Sequence, residues 1–336
     1  GTQVHIKNKR MRRTIAALVT LTIATQALAG CAAESPTSVA IASHDSFVIS
    51  DDLKAAFESA SGLTIEGSSK LGDAGELTNK LVLTKDSPVA DVVFGIDNTF
   101  AGVAIKNGII DGELVPIDYA DVCFNYDKTW FATKGVTPPT SWRELTDKKY
   151  AGLTVVENPT TSSTGLSFLF ATIGALGENG WQSWWSSMRD NGIKVAAGWE
   201  DAYYIDFTAG GGKGNYPIVL SYSSSPAFTV DEATGETTTA SINNECFRQI
   251  EYAGVLKNAK NPAGARKLIE FMLAKDFQAA LPDAMYVYPV DKSVALPENW
   301  AKFAPASASF VDVSKLDFDA KRSDWQNEWR DIMQNK

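Results

Sequence analysis

From residue 38 onward, short apolar runs alternate with segments whose apolar residues recur every three or four positions. Residues 38–43 alternate as a strand, and residues 90–95, 153–157 and 217–222 are short apolar runs suited to buried strands. Residues 50–61 place Leu53, Ala56, Phe57 and Ala60 on one helical face, behind the N-cap groups Ser50, Asp51 and Asp52. Residues 100–107 read as a helix stopped at Gly108, and 181–189, 262–274 and 319–333 as later helices. Strand and helix in alternation predict the α/β class, with mainly parallel sheets flanked by helices. No internal repeat is visible, and residues 210–214 and 234–239 read as flexible loops. The glycine-rich 210–214 stretch lacks the Ser or Thr that a nucleotide-binding loop carries after its lysine, Lys213 here.

The start of the chain is different in kind. Lys7, Lys9, Arg10, Arg12 and Arg13 precede an uncharged stretch, 14–27, too short to cross a bilayer as a helix. It ends in Leu28-Ala29-Gly30-Cys31, which resembles a bacterial lipobox with Cys31 as the lipidated residue. Residues 1–30 are therefore expected to be a signal peptide, with Met11 the natural start and residues 1–10 foreign to it. Small and polar residues 31–37 form a tether. The rest is long enough for two domains. Without residues 1–30 the net charge moves from −9 to −14, which argues against nucleic acid and anionic membrane as partners and suits a cationic ligand. Cys123 and Cys246 then remain, and outside the cytoplasm such a pair reads as a structural disulfide, with two buried thiols as the alternative. Without residues 1–30 one histidine remains, His44, too few for a zinc site, and no cofactor is expected.

Ligands in open α/β sheets bind at the carboxyl ends of strands. The polar and aromatic stretches in such places are His44-Asp45-Ser46-Phe47, Gly95-Ile96-Asp97-Asn98, residues 158–165 with Thr161, Ser162 and Ser163, and residues 221–226 with Tyr222 and Ser223. Residues 198–204 add Trp199 and Tyr203, and residues 285–289 add Tyr286.

These segments, with residues 91–98, 116–128 and 219–227, resemble the periplasmic thiamine-binding proteins of the type II class of ABC-importer substrate-binding proteins. The likeness spans nearly all of 38–336. It implies two α/β lobes joined by a two-crossover hinge, 38–118 with 226–336 and 119–225, the C-terminal helix being free to pack on either. It also implies a monomer that hands thiamine or a thiamine phosphate to a membrane permease and does no covalent chemistry. Thiamine joins an aminopyrimidine to a cationic thiazolium, so aromatic faces and a carboxylate are wanted. Trp199, Tyr203, Tyr222 and Tyr286 are the expected faces, and Asp97, beside Asn98, the expected carboxylate. His44 and Asp45 line the cleft, Ser223 adds a hydroxyl, and Thr161 to Ser163 at a helix start receive the hydroxyl or phosphate end. His44 and Tyr286 depart from the Tyr and Trp that many members carry, and the 112–116 stretch is shorter than theirs. Two alternatives follow from the same class: a ferric-ion binder using Tyr203 and Tyr204, and a thiaminase I-like enzyme using Cys123.

Overall fold

The computed structural model describes residues 34–211 and 213–335. The leader and Cys31 lie outside them.

The first part of the fold runs β1 (Ser38–Ser43), α1 (Asp51–Ser61), β2 (Thr64–Lys70), α2 (Ala74–Leu83), β3 (Val92–Asp97) and α3 (Ala101–Lys106). A long strand β4 (Ile110–Asp127) leads to α4 (Lys128–Lys134), β5 (Thr154–Glu157), α5 (Ser163–Leu176), α6 (Trp181–Asp190), β6 (Lys194–Ala196) and β7 (Ile218–Tyr222). After β8 (Thr239–Ser241), a second long strand, β9 (Phe247–Leu256), precedes α7 (Pro262–Leu273), α8 (Lys275–Met285), β10 (Tyr288–Pro289), α9 (Glu298–Phe303) and α10 (Phe318–Gln334). The helix starts follow sequence chemistry: Ser50 accepts from the Leu53 N–H, Ser162 from Gly165 and Asn261 from Gly264.

The strands form one mixed sheet in the order β2-β1-β3-β9-β4-β7-β5-β6, with β8 and β10 paired to β4. At one end β1 is parallel to both β2 and β3, and at the other β5 is parallel to both β6 and β7. Between them β4 and β9 run antiparallel side by side, so both parallel sets aim their carboxyl ends at this central pair. Sequence periodicity located the short strands. It did not show β4 and β9 as long strands, because their middle portions alternate weakly and mix polar with apolar residues, several of them only half-buried.

Apolar side chains gather in separate clusters on the two sides of that pair. One packs Phe57, Phe94, Leu268, Met272 and Phe277 against β1, β3 and β9. Another centres on Trp181, Trp185 and Phe170 of α5 and α6, and it includes Trp325 and Trp329 of α10. The C-terminal helix thus shares its core with residues of the 119–225 stretch, Trp329 lying edge-on to Trp185 at 5.8 Å between centroids. Tyr222 is packed against both clusters.

Cys123 in β4 is bonded to Cys246 beside the start of β9, closing a loop of sequence separation 123. A crosslink over so long a loop removes much of the freedom of the unfolded chain, worth about 2–5 kcal/mol. Replacing Cys246 with Ala is expected to lower stability by about that amount in urea unfolding, and an unchanged midpoint would show that the bond contributes nothing.

Candidate functional site

Strand register builds the centre of the site. Asp97 of β3 lies opposite Glu251 of β9, and Glu251 lies opposite Asp118 of β4. Directly opposed residues of adjacent strands project from the same face with Cβ atoms about 5 Å apart, so three carboxyl groups stand abreast across the sheet. All are removed from water: Asp97 is 3 % exposed, Asp118 fully buried and the Glu251 side chain 14 % exposed.

Like charges buried in a row are unfavourable unless protons, donors or cations intervene. Asp97 has donors: the Thr99 N–H and hydroxyl reach Oδ1 at 2.9 and 2.6 Å, and the Gln249 amide reaches Oδ2 at 3.0 Å. Burial outweighs them and holds its pKa above the ordinary carboxylate value. Glu251 accepts from His44 Nε2 at 2.6 Å, while the Ser46 N–H donates to His44 Nδ1 and fixes that tautomer. Burial pushes Glu251 up, but the hydrogen bond from His44 prevails, and the net shift is downward. His44 answers in the opposite sense, burial being outweighed by Glu251.

Asp118 has no donor on either oxygen. Burial, then the Glu251 charge, raises its pKa well above the usual range. A proton on Asp118 supplies the donor that two ionised carboxylates lack. Glu157, the last residue of β5, is the fourth acid; it is fully buried and neither oxygen meets a partner on another residue. Burial raises its pKa well above the usual range.

Tyr222 ends β7 opposite Val122 of β4, and its hydroxyl is 2.7 Å from the Thr164 hydroxyl. Burial pushes the phenol up to about 12, and the negative charges of Glu157, Glu251 and Asp97 act in the same direction. One phenol therefore senses three acids from three strands. From α10, Arg322 donates to the Thr99 carbonyl and lies 4.1 Å over the Phe100 ring, bracing the turn that carries Asp97.

The structure thus brings together His44, Asp97 and Tyr222 of the residues expected from sequence. The others are placed differently. Asp45 accepts from the Gly72 N–H at the surface, and the Asn98 side chain is committed to the Arg248 carbonyl and the Ile250 N–H of β9. Thr161 donates to the Ala197 carbonyl, Ser162 caps α5, and Ser163 opens that helix. Ser223 is 2.9 Å from the Tyr288 hydroxyl. Trp199 donates to Ser221 and has one ring face covered by Tyr203, stacked at 5.0 Å. Tyr203 lies in a π-helical turn, Asp201–Asp206, a form frequent at functional sites, and its buried hydroxyl has no partner. Tyr286 is 59 % exposed, in a left-handed conformation at the end of α8, edge-on to the half-exposed Phe228.

Asp118, Glu157 and Glu251 were missed. Glu157 had a signal: a carboxylate closing an otherwise buried apolar strand. Asp118 and Glu251 had none, since what unites them is the pairing of two strands far apart in sequence.

The alternatives need other geometry. The Tyr203 and Tyr204 rings are perpendicular, at 89°, with Tyr204 half exposed, so their hydroxyls belong to different environments. Among the described residues no group of three or more His, Cys, Asp or Glu is arranged to hold a metal ion. Cys123 is held in its disulfide.

Comparison with known proteins gives one picture. The bacterial extracellular solute-binding protein family matches residues 92–312. The thiamine-binding periplasmic protein of Escherichia coli (strain K12) is 29% identical over 278 residues, 77% of this chain and 81% of that one. Its counterpart in Salmonella typhimurium is 30% identical over the same shares. Among solved structures, a periplasmic thiamin binding protein superposes with a TM-score of 0.70 at 26% identity, over 90% of this chain and 98% of the other. A Bordetella ferric binding protein, at 17% identity and a TM-score of 0.67, shares the fold.

An unpartnered buried acid is a cost to folding. Glu157→Met is expected to stabilise the ligand-free protein by about 1–3 kcal/mol at pH 8. An acid with a raised folded pKa costs nothing below its unfolded pKa and penalises folding as pH rises past it. The gain should therefore shrink toward pH 4. Urea unfolding at both pH values checks this, and destabilisation at pH 8 would contradict it.

Proposed function

The chain belongs to the bacterial extracellular solute-binding protein family, and from that premise we propose that it captures thiamine outside the cytoplasmic membrane for an ABC importer. The single observation that carries the reading is the buried acidic row with Glu157 at its side, which needs positive charge and hydrogen-bond donors. Thiamine offers both, as a permanently cationic thiazolium and an exocyclic amine. Tyr222, set among the acids, offers the ring face that a flat cation favours.

Two lobes, one on each side of the β4 and β9 pair, close on the ligand by a hinge motion in those strands. The first contains β1 to β3 with α7 and α8, and the second contains β5 to β7 with α5, α6 and the C-terminal helix. Nothing in this reading is catalytic. The leader and lipobox read from the sequence tether the protein by Cys31 to the outer face of the membrane, where a permease receives the ligand from the monomer.

Protons stand in for the cation when the ligand is away. Asp118 and Glu157, with pKa values raised by burial, hold protons that a bound thiazolium displaces, so affinity rises with pH and binding releases protons. Calorimetry with thiamine at pH 5.5 and 8 is expected to show tighter binding at pH 8, with an enthalpy that varies with the ionisation enthalpy of the buffer. Glu251→Gln should weaken binding at least tenfold, about 1.4 kcal/mol. The absence of any heat with thiamine would remove the functional reading. Equal affinity at both pH values would remove the proton exchange.

A further inference from the structure

We infer that the C-terminal helix is a clasp that holds the candidate site shut, and that its release sets the rate at which a ligand enters and leaves. Two side chains one turn apart on α10 donate to backbone carbonyls on opposite sides of the central strand pair. Arg322 reaches the Thr99 carbonyl, just beyond Asp97, and Gln326 reaches the Pro159 carbonyl at 3.0 Å, just beyond Glu157. Residues four apart share one face of a helix, with Cβ atoms about 6 Å from each other. One helical face therefore joins the turn that follows an acid of the first lobe to the turn that follows an acid of the second.

The two ends of the clasp differ in strength. Toward the second lobe, Trp325 and Trp329 are buried and meet Phe170 and Trp185 at 5.9 and 5.8 Å between centroids. Gln182 donates to Glu328 at 2.9 Å, and Arg189 donates to the Ile332 carbonyl at 2.7 Å. Toward the first lobe the contact is thinner. Arg322 lies over the Phe100 ring but its buried Nε has no partner, and Asp319 lies against bare backbone, where a Cβ on Gly102 would come within 2.5 Å of its carboxylate. When the lobes move, α10 therefore stays with the second and gives way at Arg322.

Thr99 connects that end to the site, since its N–H and hydroxyl hold Asp97 while its carbonyl takes the guanidinium. Asp97, Asp118 and Glu157 are removed from water in this conformation, so a cation reaches them only when the two turns part. Parting the turns breaks one link of the clasp. Because the clasp opposes opening with and without ligand alike, it slows entry and exit by the same factor and leaves affinity unchanged. A side chain that touches the ligand behaves otherwise, its loss acting mainly on the off-rate.

Two measurements on the folded, disulfide-bonded protein test this. In stopped-flow binding of thiamine, a probe that rests on the thiamine reading, Gln326→Ala is expected to raise the on-rate and the off-rate together by roughly fivefold, the scale of one hydrogen bond. Arg322→Met should raise both as well, and the double variant should be no faster than Arg322→Met alone, because either break opens the same clasp. In hydrogen exchange without ligand, Gln326→Ala should speed the amides of residues 98–100 as well as those of 160–162, although its own contact is with Pro159 only. Urea unfolding confirms that each variant is folded. A higher off-rate with an unchanged on-rate, rates that do not move, or a double variant as fast as the product of the singles would overturn the clasp. Faster exchange confined to residues 160–162 would overturn it too. If the unsubstituted protein binds no thiamine, the thiamine reading falls and exchange alone decides the clasp.

Discussion

Three carboxyl groups placed side by side on adjacent buried strands are the constraint around which the rest of this molecule is arranged. Asp97, Glu251 and Asp118 share one row of the sheet because β9 runs between β3 and β4 in a fixed register. A slip of one residue in either pairing would scatter them to opposite faces. The fold maintains the row by giving each acid a different circumstance. Asp97 receives three donors, Glu251 receives an imidazole, and Asp118 receives no donor. The apolar clusters on either side and the disulfide between the two central strands hold that register against the mutual repulsion of its members.

The arrangement also links stability to function. Each acid without a partner destabilises the ligand-free fold, and the same deficit is what a cationic ligand relieves. Proteins commonly accept such local cost where they bind or react. Here the cost falls on Glu157 and Asp118, whose buried carboxyl oxygens meet no partner.

Much of the fold was legible in the sequence, because short apolar runs and helix caps are local signals. Ser50, Ser162 and Gly108 mark helix ends through chemistry confined to a few neighbouring residues. The residues of the candidate site were legible in part. His44 stands just after β1, and Asp97 and Tyr222 end β3 and β7, where position along the chain predicts position in the candidate site. Asp118 and Glu251 sit within long strands, and only the pairing of β4 with β9 unites them. Asn98 shows the opposite error: it stands in the right place, but its amide completes the backbone ladder of β9 instead of facing a ligand. Thr161 and Ser162 show it again, as hydroxyls that serve the loop itself.

The exposed Phe228 and Tyr286 pair offers aromatic surface, and Trp199 stacks on the buried Tyr203. The proposed place of the ligand is among the acids. A crystal structure of the protein with thiamine bound is the most direct measurement of that assignment. It should show the ligand against the Tyr222 ring, with its amine or thiazolium within about 4 Å of Glu157 or Asp118. A thiamine molecule bound elsewhere, with both carboxyl groups still lacking partners, would contradict the account.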